Sequence, residues 1–156
     1  MQIKDIMLKG AVISVRRSTT LRSLIDKFKT FHTFPLVPVV DADMKLIGVV
    51  YFNNLIDIFK PSRPAILKTI PFLDEEEENL FDSELTSEMG PLILVEDIME
   101  DQFMSVSEDM TVDKVYDLMK LHNKEQLPVV NKDGQLVGMI GVFDIVLAVF
   151  RDKGIV

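Results

Sequence analysis

The sequence predicts an α+β protein made of two similar halves. Short motifs recur in the same order about 90 residues apart. Each copy alternates apolar runs of strand length with segments whose apolar residues follow helical spacing. Apolar residues make up 47% of the 156 residues and charged residues 27%, a balance typical of a globular domain.

The repeat rests on motifs whose offset falls from 92 to 90 residues along the chain. Asp5-Ile6-Met7 recurs at 97–99, Pro38-Val39-Val40 at 128–130, and Leu46-Ile47-Gly48-Val49-Val50 at 136–140. The two single-residue gaps fall in a loop and at a helix end, where changes of length are tolerated. The chain therefore divides into copy one (1–60), a linker (61–94) and copy two (95–156).

Each copy is predicted to run strand, helix, strand, strand, helix after a short leading segment, and Thr20 or Thr111 is the N-cap of its first helix. The apolar residues with this spacing are Leu21, Leu24, Ile25, Phe28 and Phe31 in copy one and Val112, Val115, Met119 and Leu121 in copy two. His32 and His122 stand near the helix C-termini, where a histidine interacts favourably with the helix dipole.

A predicted hairpin and a final helix complete each copy. The strands cover 36–40 and 46–52 in copy one, and 127–130 and 136–140 in copy two. The turn between them is Asp41-Ala42-Asp43 or Lys132-Asp133-Gly134, and Asp-Gly between apolar runs is a strong hairpin signal. One copy alone would bury too little surface, so the two are expected to share a core.

The linker contains three early prolines and a five-residue acidic run, 74–78. Leu80, Phe81 and Leu85 suggest a short helix after it. A solvated linker is the simpler interpretation of the acidic run. A divalent-cation loop is the alternative, although the alternating ligand spacing and the glycine of a Ca²⁺ loop are missing.

Composition excludes several classes of function. The chain has no cysteine and two histidines, so thiolate metal sites and a multi-histidine metal site are not expected. The net charge, 17 − 25 = −8, argues against general nucleic-acid binding. No apolar run approaches the ~20 residues that span a bilayer, and the N-terminus does not read as a signal peptide, so a cytoplasmic protein is expected.

These motifs carry a family resemblance. The motif order of copy two resembles the CBS domain, named after cystathionine β-synthase. Its motifs are Leu127-Pro128-Val129-Val130, Asp133-Gly134, Gly138-Met139-Ile140 and Asp144-Ile145. The Asp-Ile-Met before each copy is similar to the segment that leads into CBS repeats. The resemblance covers nearly the whole chain except the linker.

The resemblance implies two repeats packed through their sheets with pseudo-two-fold symmetry, and two clefts between them. It implies a regulatory module that binds AMP, ADP, ATP, S-adenosylmethionine or NAD, that forms a homodimer, that acts on an attached or partner protein and that is not itself catalytic. No essential cofactor and no metal are expected.

In the family, the glycine of the returning strand is followed by Ser or Thr three residues on and by Asp six residues on, and that Asp accepts hydrogen bonds from the ribose hydroxyls. Copy two keeps the acid at Asp144 but has Gly141 at the Ser/Thr position. Copy one has Tyr51 and Asn54. Neither motif is complete.

The resemblance implies composite clefts, with the acid from one copy and adenine contacts from the other. The Asp144 cleft would use Met139 and Gly141 with Met7, Leu8, Val12, Ile13, Phe34 and Leu36, and Lys9 and Arg16 near its edge could pair with a phosphate. The second cleft, expected to be weaker, would use Val49, Tyr51 and Asn54 with Met99, Phe103, Met104, Lys124 and Gln126. Copy one carries a net charge of 9 − 5 = +4 and copy two 6 − 12 = −6, which favours the Asp144 cleft for an anionic nucleotide.

Other interpretations stay open. Asp144 could act only as a helix-capping acid, and Gly48 and Gly138 could serve close backbone packing instead of a ligand. The clefts could also be degenerate, which would leave a ligand-free dimerisation or protein-interaction module. An enzyme is the weakest hypothesis, because the sequence has no phosphate-binding glycine loop and no nucleophile elbow.

Overall fold

The computed structural model describes residues 1–10, 12–30, 35–59, 80–82 and 84–156. Copy one contains α1 (Leu21–Phe28), β1 (Leu36–Val40), β2 (Leu46–Tyr51) and α2 (Phe52–Ile58). Two short helices follow, α3 (Met89–Leu92) and α4 (Val95–Ile98). Copy two contains β3 (Val106–Ser107), α5 (Val112–Leu121), β4 (Gln126–Val130), β5 (Leu136–Gly141) and α6 (Val142–Asp152). The α+β prediction is confirmed.

The two hairpins have the same register. β1 pairs antiparallel with β2, and β4 pairs antiparallel with β5, with Leu36 opposite Tyr51 in the first hairpin and Gln126 opposite Gly141 in the second. The register shifts at the same point in both, after Val39 and after Val129. β3 adds a parallel strand beside β4, and in copy one a single parallel bridge from Val15 to Val39 takes its place.

The helix predictions are confirmed at their N-termini. The Thr20 hydroxyl accepts the backbone N–H of Ser23 at 3.1 Å, and that of Thr111 accepts the N–H of Lys114 at 3.3 Å. The C-termini differ from the prediction, because the exposed Leu121 is the last residue of α5 and does not pack into the core. His122 is the C-cap of α5, as expected, and His32 lies outside the described residues.

The segment that opens each copy packs into the core of the other copy. We call residues 1–8 the first lead-in segment and residues 93–100 the second. Ile3 and Met7 are buried in the core of copy two, whereas Val95 and Ile98 are buried in the core of copy one. The two cores are therefore completed by exchange.

Backbone hydrogen bonds fix this exchange in nearly the same way on both sides. Ile3 N–H donates to Met110 O at 2.9 Å, and Val95 N–H donates to Thr19 O at 2.8 Å. Lys4 adds an ion pair with Asp109 at 3.0 Å, and this carboxylate raises the pKa of Lys4. Each lead-in segment is thus held by the edge of the opposite copy.

The copies also meet through their sheets, as expected. Leu46 N–H donates to Gly134 O at 3.0 Å, and Leu136 N–H donates to Met44 O at 2.9 Å, so the two hairpin ends bridge each other. A third apolar cluster belongs to both sheets. Its buried members are Leu36, Val40, Val49, Leu136 and Met139.

Part of the linker prediction can be compared with the structure. Residues 80–82 form a single 3-10 turn, and Leu85 is exposed beyond it, so the short helix expected there is reduced to one turn. The unpredicted α3 packs against α1, with Gly90 beside Arg22. The acidic run 74–78 lies outside the described residues.

Two features are absent from the described part of the chain. None of its helices is long and apolar enough to cross a membrane. No group of three or more His, Cys, Asp or Glu side chains in that part is arranged to hold a metal ion.

Candidate functional site

A cleft of about 410 Å³ opens between the two copies, and we call it the Tyr51 cleft. Its lining comes from both copies. Copy one contributes Pro35, Leu36, Tyr51 and Asn53, and copy two contributes Asn123, Lys124, Glu125 and Gln126. The volume lies at the lower end of the range typical of small-molecule sites.

The copy-two wall of the cleft is set by the end of α5. Asn123 has a φ of +52°, a left-handed conformation that asparagine tolerates better than most residues. Asn123 N–H donates to Lys120 O at 3.4 Å, and Lys124 N–H donates to Met119 O at 2.9 Å. This is the pattern of a Schellman motif. The backbone of Lys124 therefore has a fixed position relative to the core residue Met119.

Lys124 reaches across the cleft to copy one. Its Nζ lies 5.0 Å from the centroid of the Tyr51 ring, within the range of a cation–π interaction. Tyr51 is the last residue of β2 and immediately precedes α2, which places its ring at the mouth between the copies. This contact joins the two walls.

The cleft also holds one unpaired hydrogen-bond acceptor. Gln126 Oε1 is buried and has no hydrogen-bond donor within the described residues. Such an atom loses its hydration without compensation unless a partner arrives. Among the described residues of this lining, Lys124 is the single cationic side chain and Glu125 the single anionic one, so their formal charges cancel.

The predicted second cleft agrees with this geometry in part. Tyr51 and Gln126 do line the cleft together. Asn54 is exposed and does not line it, and its neighbour Asn53 does. Val49 is fully buried and pairs with Glu100, and Met104 packs against the core of copy two.

Sequence reasoning assigned Leu36 to the Asp144 cleft and missed four other lining residues: Pro35, Asn53, Asn123 and Glu125. One signal was available for two of them. Pro35 and Glu125 stand 90 residues apart, each directly before a β-strand, and each accepts a hydrogen bond from the first residue of the final helix. Those bonds are Phe52 N–H to Pro35 O at 3.1 Å and Val142 N–H to Glu125 O at 3.0 Å.

Asp144 has a capping role in the structure. Its Oδ2 accepts the N–H of Gly141, the N-cap of α6, at 2.8 Å. Asp5 and Asp97 make the same contact at the start of their own short helices. This supports the interpretation of Asp144 as a capping acid, and its Oδ1 remains available as an acceptor.

The described cavity beside Asp144 is different from the predicted one. It has a volume of about 450 Å³ and is bordered by the first lead-in segment and α6. Its lining residues are Met1, Asp5, Ile6, Asp144, Leu147, Ala148, Arg151 and Asp152. None of the predicted partners of Asp144 is among them, and its three carboxylates face one arginine.

Several predicted partners of Asp144 do lie close to one another. Leu8 and Met139 form an antiparallel bridge with N–H···O distances of 2.8 and 3.0 Å. Val12 and Leu36 share an apolar cluster with Met139. Ile13 packs against the core of copy one.

The remaining residues predicted for the Asp144 cleft are dispersed or lie outside the described part of the chain. Lys9 and Arg16 are exposed. No hydrogen bond or ion pair within the described residues joins either of them to Asp144. Phe34, with the rest of 31–34, lies outside the described residues, and this segment corresponds to Asn123 and Lys124 of the Tyr51 cleft.

Comparison with known proteins agrees with this architecture. The family model for the CBS domain matches residues 3–60 and 95–151. The uncharacterized protein MJ1426 of Methanocaldococcus jannaschii is 27% identical over 164 residues, which cover 95% of this chain and 90% of that protein.

Solved structures share the fold. CBSX2 of Arabidopsis thaliana in complex with AMP superposes with a TM-score of 0.69 at 21% identity, over 97% of this chain and 98% of that one. The CBS domain of a bacterial CNNM/CorC family Mg²⁺ transporter in complex with ATP gives a TM-score of 0.64 at 16% identity, over 94% and 84%. With two matched copies that exchange their lead-in segments and pack through their sheets, the chain belongs to the CBS domain family as a tandem pair.

Proposed function

We propose that this chain is a cytoplasmic regulatory module that binds an adenine nucleotide in the Tyr51 cleft. The observation that carries the proposal is the composition of that cleft, which brings an aromatic ring, a cation and an unpaired acceptor together between the two copies. These are the groups that a base, a phosphate and an amino group would contact.

Each of these three groups could contact a different part of a nucleotide. The Tyr51 ring offers a face on which a base can stack. The Lys124 ammonium can donate to a phosphate oxygen. Gln126 Oε1 needs a donor, and the exocyclic amine of adenine supplies one. The chemistry of the cleft therefore suits a nucleotide.

The related structures support this ligand class. CBSX2 was solved with AMP, and the CNNM/CorC transporter domain with ATP. CBS pairs are generally regulatory and not catalytic, so we propose that this chain senses a nucleotide without converting it. S-adenosylmethionine and NAD remain further candidates that a binding screen should include.

The Asp144 cleft is a second position for the same ligand. Asp144 Oδ1 could accept from a ribose hydroxyl while Oδ2 stays on Gly141 N–H. The three carboxylates of its described cavity oppose a phosphate, however, which favours the Tyr51 cleft.

Binding would regulate by acting on the arrangement of the two copies. Tyr51 belongs to copy one and Lys124 to copy two, so a ligand in this cleft contacts both. Such a ligand shifts the arrangement only if it binds one arrangement more tightly than another. A protein attached to this chain, or bound to it, would respond to that shift.

Isothermal titration calorimetry with AMP, ADP and ATP tests the proposal. We expect the wild type to bind at least one of them, with binding weakened by Tyr51→Leu and retained by Asp144→Asn. Loss in Asp144→Asn alone would move the site to the Asp144 cleft. Absence of binding at millimolar nucleotide by folded protein would overturn the proposal.

A dimerisation module is the second candidate function. Phe143, Val149 and Phe150 of α6 are apolar and between 45% and 72% exposed, and Ile56 and Ile58 of α2 are also exposed. Apolar residues grouped on a surface helix favour an interface. We propose that these helices meet those of a second copy of the chain in a homodimer.

Sedimentation equilibrium measures this directly. The wild type is expected to be a dimer at micromolar concentration, and Phe143→Asp a monomer with an unchanged circular dichroism spectrum. Tyr116→Asp, on the exposed face of α5, is the matched control and should leave the dimer intact. A monomeric wild type would contradict the homodimer.

A further inference from the structure

We infer that Lys124 is a specificity-determining residue of the Tyr51 cleft, because it covers the Tyr51 ring in the free protein and selects anionic over neutral adenosyl ligands. The inference rests on the proposed function and adds to it the basis of ligand selection. Its starting point is the 5.0 Å contact between Lys124 Nζ and the Tyr51 ring.

The contact places the ammonium where a base would stack. Aromatic stacking needs the face of the ring, and a cation over the centroid occupies that face. Both residues are half-buried and both line the cleft. A base can therefore stack on this face of Tyr51 only after the Lys124 side chain has moved aside.

The displaced ammonium stays tethered beside the cleft. The Schellman motif at the end of α5 holds the Lys124 backbone, so only the four-carbon side chain can move. A ligand with a phosphate gives the ammonium a new partner inside the cleft. A neutral nucleoside gives it none and only removes its contact with the ring.

Glu125 strengthens this selection. It is the adjacent residue and the single carboxylate of the lining, so it would repel a phosphate if Lys124 were absent. The charge of Lys124 therefore has two effects on an anionic ligand, direct pairing and neutralisation of Glu125. For a neutral ligand both effects disappear, and only the cost of uncovering the ring remains.

The test compares adenosine with AMP by titration calorimetry on wild type and Lys124→Ala. We expect Lys124→Ala to weaken AMP by about tenfold, as for a lost hydrogen bond to a charged group. We expect the same variant to bind adenosine about twofold to fivefold more tightly, because the cation–π contact no longer has to be broken. The inference therefore predicts that the same variant binds AMP more weakly and adenosine more tightly than the wild type does.

Lys120→Ala is the matched control. Lys120 also lies over a tyrosine ring, 5.7 Å from the Tyr116 centroid, but Lys120 and Tyr116 do not line the cleft. Lys120→Ala changes the net charge by the same amount as Lys124→Ala. It should leave the affinities for AMP and adenosine within a factor of two of the wild type. A loss of AMP affinity as large as that in Lys124→Ala would mean that general charge, not the cleft lysine, sets the preference.

A measurement without ligand separates this inference from the proposed function. The ring current of Tyr51 should shift the ε-methylene proton resonances of Lys124 upfield in the free protein. Tyr51→Phe should retain that shift and Tyr51→Leu should abolish it. The inference would be overturned if Lys124→Ala weakened the binding of AMP and of adenosine alike, or if the free protein showed no upfield shift. Either result would leave nucleotide binding intact. No binding by any variant would overturn both.

Discussion

The sulphur of Met7 lies 2.8 Å from the point that a Cβ atom on Gly138 would occupy. Leu8 O is equally close to that point. Copy one repeats the relationship, with Met99 Sδ 2.9 Å from the corresponding point on Gly48. Each repeated glycine therefore accommodates the methionine of a lead-in segment, which explains why Gly and Met recur together.

Replacing Gly138 by alanine should destabilise the protein. Real Cβ atoms do not approach other atoms as closely as 2.8 Å, and Leu8 O is held by its hydrogen bond from Met139 N–H. We expect Gly138→Ala to lower the free energy of unfolding by about 1–3 kcal/mol, as overpacking typically does. Urea unfolding measures it. Gly10→Ala, with open space around the added methyl, is the control, and equal losses in both would contradict the packing argument.

Truncating a lead-in residue should disturb the opposite copy. Ile3 is fully buried among side chains of copy two, so we expect Ile3→Ala to cost about 2–5 kcal/mol. The largest amide chemical-shift changes should fall on residues of copy two, such as Val115 and Ile140. Ile25→Ala, at an exposed position of α1, should cost far less. Shift changes centred on copy one would refute the exchange.

The two hairpin turns should respond in opposite directions to substitution. Gly134 has a φ of +78°, and Met44, its counterpart in copy one, has a φ of +64°. A residue with a Cβ in this region costs about 1–2 kcal/mol. Gly134→Ala should therefore destabilise the protein by about that amount, and Met44→Gly should stabilise it by less. Thermal unfolding of both variants measures the difference, and a destabilising Met44→Gly would show that the exposed Met44 side chain contributes more than its strain costs.

Asp144→Ala should lower stability through its helix cap. The variant removes the acceptor of Gly141 N–H, a hydrogen bond worth about 0.5–1.5 kcal/mol. Asp144→Asn keeps an acceptor oxygen and should retain most of the stability, as urea unfolding would show. If Ala and Asn lose equal amounts, the charge of Asp144 matters more than the hydrogen bond.

The fold could be predicted in detail because its signals are local. Thr20 and Thr111 cap helices, Gly134 closes a turn, and apolar runs such as Leu36–Val40 form buried strands. The exchange of lead-in segments could not be predicted, because the sequence shows that Ile3 and Val95 are apolar but not which core buries them. Which core they enter depends on how the two copies pack.

The Tyr51 cleft was predicted only in part for a related reason. The family resemblance implied Tyr51, Lys124 and Gln126, and all three line the cleft. The contact between Lys124 and Tyr51 needs the crossing of two hairpins and the left-handed Asn123, neither of which a single sequence displays. The charge counts of the sequence therefore favoured the Asp144 cleft, whereas the described geometry favours the Tyr51 cleft.

The exchanged lead-in segments also constrain how the chain can fold while it is being synthesised. The ribosome releases copy one first, but its core lacks Val95 and Ile98 until the second lead-in segment has emerged. Ile3 and Met7 are made well before the copy-two residues that bury them. Copy one should therefore emerge from the ribosome with an incomplete, apolar core, which closes only when the second lead-in segment follows.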